Sequence, residues 1–161
     1  EWGLKMNARE RRVAFRSALA ATADATVVAG RGHRLPEKAT TPFVVSKDIE
    51  TLTSKHEGES LTRRAQKLLE ALGLDAELAR GGERKVPRGR GKRRGRRYRR
   101  PKSALVVLSE CNGSERAFRN LGGVEVTTAA QLNTEMLAPG GDPGRLMVIS
   151  QPALKALEVR L

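Results

Sequence analysis

The sequence predicts an α/β fold: an open, mainly parallel sheet with helices on both faces and a long basic arm set into it. Three observations carry this. PFVVS, SALVVLS, VEVT and LMVIS are short apolar runs suited to strands buried within a sheet. Stretches rich in helix formers separate them, the order expected of a layered α/β domain. Residues 84–102, RKVPRGRGKRRGRRYRRPK, follow neither period. At 161 residues the chain suits one domain, 1–161, with the arm 84–102 inserted in it.

The first helix starts at Asn7, with Glu10 completing a capping-box pattern. Val13, Phe15, Ala18, Leu19 and Thr22 are spaced to share one broad face, while Arg9, Arg11, Arg12 and Arg16 occupy the rest. Asp24 caps a short second helix that Gly30 or Gly32 ends. FVVS after Pro42 reads as a buried strand. Ser60 or Thr62 opens a helix with Ala65, Leu68, Leu69 and Leu72 on one face and Gly73 at its stop. Ala76–Ala79 is expected to form a brief strand before the arm.

Ser103–Ser109 is the clearest strand. Asn112 or Ser114 then starts a helix through Leu121, Gly122-Gly123 turns the chain, and Val124–Thr127 forms a strand. Thr128 caps a short helix through Gln131, Leu132 and Asn133. The loop LAPGGDPGR leads into LMVIS, and Ser150 with Pro152 begins a final helix. With aromatics at 3%, the core falls to Leu, Val and Ala.

The arm holds twelve of the chain's 31 Lys and Arg and no acid; outside it, 19 cations face 18 acids. The net charge of +13 is therefore local, and the expected partner is a dense polyanion. Arg84, Arg88, Arg90, Arg93, Arg94, Arg96, Arg97, Arg99 and Arg100 offer forked donors that grip phosphate. Lys85, Lys92 and Lys102 add point charges, and Tyr98, the only Tyr, is placed to stack on an unpaired base. Pro87 and Pro101 bracket the segment and oppose a continuous helix, so it reads as an extended arm ordered only by its partner. Arg9, Arg11, Arg12 and Arg16 would extend the same footprint, and His33 beside Arg34 reads as a loop contact.

The residues speak against several functions. The arm's glycines are spaced GxGxxxG and precede a strand, whereas dinucleotide binding needs GxGxxG between strand and helix. GGDPG lacks the Lys-Ser/Thr of a phosphate cradle. His33, His56 and Cys111 have no metal-ligand spacing, and there is no GxSxG element. Cys111 beside a strand end is expected to be buried or half-buried. One Cys excludes a disulfide framework and fits a reducing compartment. No apolar run reaches membrane-span length, and the N-terminus shows no signal-peptide pattern. An RNA-acting doubly wound enzyme and a general nucleic-acid-binding module stay open at this point. The chain starts without Met, as a processed or incomplete part of a longer protein would.

Several strings together resemble the large-subunit ribosomal protein four family, in its archaeal and eukaryotic branch. They are ERRVAFRSALAATA, RGHR, PFVVS, KLLEALG, RGRGKRRGRRYRRPKS, AFRNLGGVEV and QLNTEMLAPGGDPGRL, in the family's order and over nearly the whole chain. LAPGG-x-PGR and AFRN-x-x-G are the specific ones. The resemblance implies a Rossmann-like body bound to large-subunit ribosomal RNA and flanked by neighbouring ribosomal proteins. It implies a cytoplasmic, non-enzymatic role in subunit assembly and translation, without cofactor, metal, membrane or small-molecule substrate. The family's tunnel-reaching loop belongs to a segment preceding ERRVAFRSALA and is expected upstream of Glu1 or missing. VISQPALKAL stands where the family more usually has a Trp-Thr-Glu-like stretch.

Overall fold

The computed structural model describes residues 3–36, 39–52 and 59–160. Trp2 and His56 lie outside the described residues. The chain runs α1 (Ala8–Ala21), α2 (Ala25–Gly30), β1 (Phe43–Val45), α3 (Leu61–Ala71), α4 (Asp75–Gly82) and β2 (Leu105–Leu108). It continues through α5 (Ser114–Arg119), β3 (Glu125–Thr128), α6 (Thr134–Leu137), β4 (Met147–Ser150) and α7 (Gln151–Arg160).

The four strands form one sheet in the order β1-β4-β2-β3, and every pairing is parallel. β2 and β4 are central and buried at every position, which is why they read as unbroken apolar runs. Alternation along them splits the core in two. Ala104, Val106, Leu108, Leu146 and Val148 pack with Ala65 and Leu69 of α3, Ala117 and Phe118 of α5, and Val28 of α2. Leu105, Val107, Met147 and Ile149 pack with Ala18 of α1, Leu137 of α6, and Ala153 and Leu157 of α7. Helices thus cover both faces.

The expected caps are in place. Asn7 accepts from the Arg9 N–H, Asp24 from Thr26, Ser60 from Arg63, and the Ser150 hydroxyl from Ala153. Gly73 ends α3 with φ +75°.

Five expectations are corrected. Ala76–Ala79 is not a strand but the middle of α4. Ala, Glu, Leu and Arg are strong helix formers, and the Glu77–Arg80 pair at i,i+3 needs helical spacing. β1 is a three-residue edge strand rather than a buried one, with Val44 exposed. Val13 leaves the buried face of α1 and stands 60% exposed. Thr128 caps only a turn, accepting from the Gln131 N–H, whereas Asn133 caps the helix that follows. Cys111 is exposed, because β2 ends at Leu108, before it reaches that residue.

The LAPGGDPGR loop is an internal brace. Arg31 at the end of α2 donates to the Pro139 carbonyl at 2.7 Å. Gly144, at φ +84°, lies so near α2 that a Cβ would meet Val27 at 2.7 Å.

Candidate nucleic-acid interface

The basic segment leaves α4 and returns to β2 as a closed loop rather than a featureless arm. Lys85 and Arg99 face each other in an antiparallel bridge, with N–H to O distances of 2.9 and 2.8 Å. Beyond the bridge, Arg90–Arg93 forms one 3-10 turn, and the Arg94 and Arg96 N–H groups both donate to the Gly91 carbonyl. Gly89 (φ +98°) and Gly95 (φ +77°) flank this turn, in a region other residues adopt at a cost. Tyr98 is half-exposed between Arg84 and Arg97, whose guanidinium carbons lie 5.7 and 5.6 Å from its ring centre.

Every residue from Arg88 to Arg100 is exposed. Among the described residues, ion pairs involve only the loop's ends: Lys85 with Glu83 at 4.0 Å, and Lys102 with Glu125. The cations between project from the body without neutralisation. Neither the bridge nor the turn offsets their mutual repulsion, which a polyanion would relieve.

The root of the loop is tied to the body by hydrogen bonds of Glu77, Arg80 and Arg145, which sequence reasoning missed. Buried Glu77 of α4 gathers Arg80, His33, the Arg34 N–H and the Ser103 hydroxyl around one carboxylate. Burial alone would push the Glu77 carboxyl up; hydrogen bonds from Arg80, His33 and Arg34 outweigh it and hold it at about 2. The same carboxylate raises Arg80, against burial. Arg80 also donates to the Lys102 carbonyl at 2.8 Å, where the loop re-enters the body.

Arg145, fully buried, supports Ser103 from another side. It donates to the Ser103 carbonyl at 3.0 Å, the Met136 carbonyl at 3.0 Å and Glu125 at 2.6 Å. Burial, with the charge of Arg31 adding to it, pushes the Arg145 guanidinium down to about 10. Three glycines close the contact. A Cβ on Gly81 would meet the Gly122 carbonyl at 2.5 Å, and one on Gly123 the Pro101 carbonyl at 2.6 Å. The local glycine signals for this root were Gly81-Gly82 and Gly122-Gly123; the contacts of Glu77 with His33 and Ser103, and of Arg145 with Ser103, join residues more than twenty positions apart.

The other predicted cations divide. Arg9, Arg11, Arg12 and Arg16 are exposed on α1, and Arg34 is exposed. His33 is 6% exposed, its Nδ1 lying 2.7 Å from Glu77, so its side chain belongs to the root and not to the outer surface. At the carboxyl ends of β2 and β4, where doubly wound enzymes place their ligands, Glu50 fills the space. It accepts from the Ser109 N–H at 2.7 Å, the Ser109 hydroxyl and the Ser150 hydroxyl.

Fold and site together define an α/β protein that concentrates its positive charge on one exposed loop with a hydrogen-bonded root. Comparison with known proteins narrows this. The ribosomal protein L4/L1 family matches residues 1–160, and the chain belongs to that family. It is 48% identical over 156 residues to the large ribosomal subunit protein uL4 of Halorubrum lacusprofundi, covering 96% of this chain and 59% of the relative. To the protein of that name from Haloarcula marismortui it is 47% identical over 157 residues, covering 98% and 60%. To that of Methanothrix thermoacetophila it is 48% identical over 159 residues, covering 98% and 59%. The chain thus spans about 60% of the length of these relatives.

Proposed function

We propose that this chain is a non-enzymatic, RNA-binding part of the large ribosomal subunit. Its Rossmann-like body is a scaffold, and the loop from Arg84 to Lys102 lies among strands of ribosomal RNA. Arg88, Arg90, Lys92, Arg93, Arg94, Arg96, Arg97, Arg99 and Arg100 neutralise phosphates where those strands converge, and Tyr98 stacks on an unpaired base. Arg9, Arg11, Arg12, Arg16 and Arg34 extend the footprint; His33, held inside, does not. The chain works in the cytoplasm, on the ribosome, beside other large-subunit proteins and without cofactor or small-molecule substrate.

The observation that carries this reading is the run of exposed cations from Arg88 to Arg100, left without acidic partners among the described residues. Membership of the L4/L1 family supports the ribosomal assignment. The RNA-acting enzyme is disfavoured, because Glu50, Ser109 and Ser150 spend their polar groups on one another in the crevice such an enzyme would use.

The test is binding to a large-subunit RNA fragment over a salt series. With roughly six to ten phosphate contacts, log affinity falls against log salt with a slope of roughly −0.7 to −0.9 per contact. A nearly flat response would remove the loop as the main binding element. Crosslinking in cells separates a ribosomal partner from general nucleic-acid binding.

A further inference from the structure

We infer that a single RNA strand continues from the basic loop across the body to α1, where one unstacked nucleotide seats against Phe15 and Arg160. This rests on the RNA-binding reading above and adds a second, built site to it. A cleft of about 440 Å³ lies between α1, the start of α6 and the end of α7. Arg11, Arg12, Arg16 and Arg160 line it with Phe15 and Asn133, and no acid among the described residues does. The Arg160 guanidinium carbon stands 5.0 Å from the Phe15 ring centre. Its position is held from behind by a 2.7 Å bond from Nη1 to the Ala129 carbonyl. A fixed cation–aromatic pair inside a ring of arginines offers both things a nucleotide presents, a π face and a phosphate.

The cleft is also connected to the loop. Asn133 borders it and borders a second cleft of about 570 Å³, which Lys102 and Arg119 line. Lys102 is the last cation of the basic loop. The two clefts therefore make one track from the loop root to α1, with Asn133 at the join. Two acids, Glu125 and Glu135, lie on the second cleft. Glu125 is neutralised by Lys102 and Arg145, and Glu135 can accept from base amino groups. A duplex keeps its base faces stacked internally, whereas a single strand exposes them, so the stacking pair selects single-stranded RNA.

Crosslinking the whole chain to a short oligouridylate carrying 4-thiouridine, with peptides mapped by mass spectrometry, tests this. Two crosslinked regions are expected, one around Tyr98 and one around Phe15, and a duplex of the same length should label the second far less. Arg11→Glu with Arg12→Glu, both on the exposed face of α1, should cut labelling around Phe15 by about tenfold or more, because each turns an attraction for phosphate into a like-charge repulsion. Labelling around Tyr98 and the melting temperature should not change. Labelling confined to the loop overturns the inference and leaves the RNA-binding reading standing. So does equal labelling by the duplex, or indifference of the Phe15 region to the double substitution. Labelling of neither region removes both.

Discussion

Arg80 grips Glu77 with a two-point fork: Nη2 lies 2.6 Å from Oε1, and Nε 2.8 Å from Oε2. Such a bidentate contact fixes both side chains in one plane. The same Nη2 reaches the Lys102 carbonyl, so a part-buried ion pair in α4 sets where the basic loop rejoins the body. The electrostatics of the root and the placement of the loop are one problem.

Glu77 should make stability depend on acid. Its carboxyl is held at about 2 in the fold, against 4.5 ordinarily. A depressed carboxyl contributes stability that is fully present above about pH 4.5 and is lost as pH falls through about 2. The contribution is on the order of 3 kcal/mol. Glu77→Gln should lower the urea midpoint at pH 7 and flatten the loss of stability between pH 4.5 and 2. Urea titrations of both proteins across that range check it; parallel acid limbs would mean that Glu77 is not the group responsible.

The glycines of the root should tolerate no side chain. At Gly81 a Cβ would lie 2.5 Å from the Gly122 carbonyl, a backbone atom that cannot rotate away. Gly81→Ala is expected to cost roughly 1–3 kcal/mol, as overpacking does. Gly82→Ala, one position on with nothing within 4 Å, should be neutral or slightly stabilising through helix propensity. Thermal melts of the pair make the comparison, and equal midpoints would show that the close contact is not maintained.

Arg145 should matter more than any exposed arginine. Replacing it with Met leaves the Ser103 and Met136 carbonyls without a buried donor, at roughly 1–3 kcal/mol each. Glu125 keeps Lys102 as a partner, so the loss should be smaller than for a carboxylate stranded in the core. Arg145→Met is thus expected to lower the melting temperature clearly. Hydrogen exchange should show faster opening at Ser103, whose N–H bonds to the Gly123 carbonyl at 2.8 Å. Unchanged protection at Ser103 would separate Arg145 from the loop root.

These root residues also show where the sequence was silent. SALVVLS and LMVIS announce central strands because burial on both faces removes alternation. The loop announces itself by charge alone. Glu77 and Arg80 gave no such sign, because their partners His33, Lys102 and Ser103 are distant along the chain and become neighbours only once β2 is seated. Arg145 looked like one more cation after a glycine-rich turn, and nothing local marks an arginine for complete burial. β1 shared the composition of the central strands but lies at the sheet edge, a position that composition does not encode.

The division between body and loop gives the last prediction. Leu105, Val107 and Val148 are fully buried in the two central strands. Asp at any of them places an unpaired charge among apolar neighbours, costs several kcal/mol and should unfold the domain. Arg93, Arg94, Arg96 and Arg97 are exposed, and none has an ion-pair partner among the described residues. Replacing all four with Ala removes repulsion as well as charge, so the melting temperature should hold or rise slightly. Affinity for a large-subunit RNA fragment should fall, and the salt slope should become shallower by roughly 0.7–0.9 for each phosphate that is no longer neutralised. Circular dichroism melts and salt-series binding of the two sets of variants separate the roles. If the four-arginine variant melts like the Asp variants, the loop is part of the core's stability. If it binds RNA with an unchanged slope, those arginines do not touch phosphate.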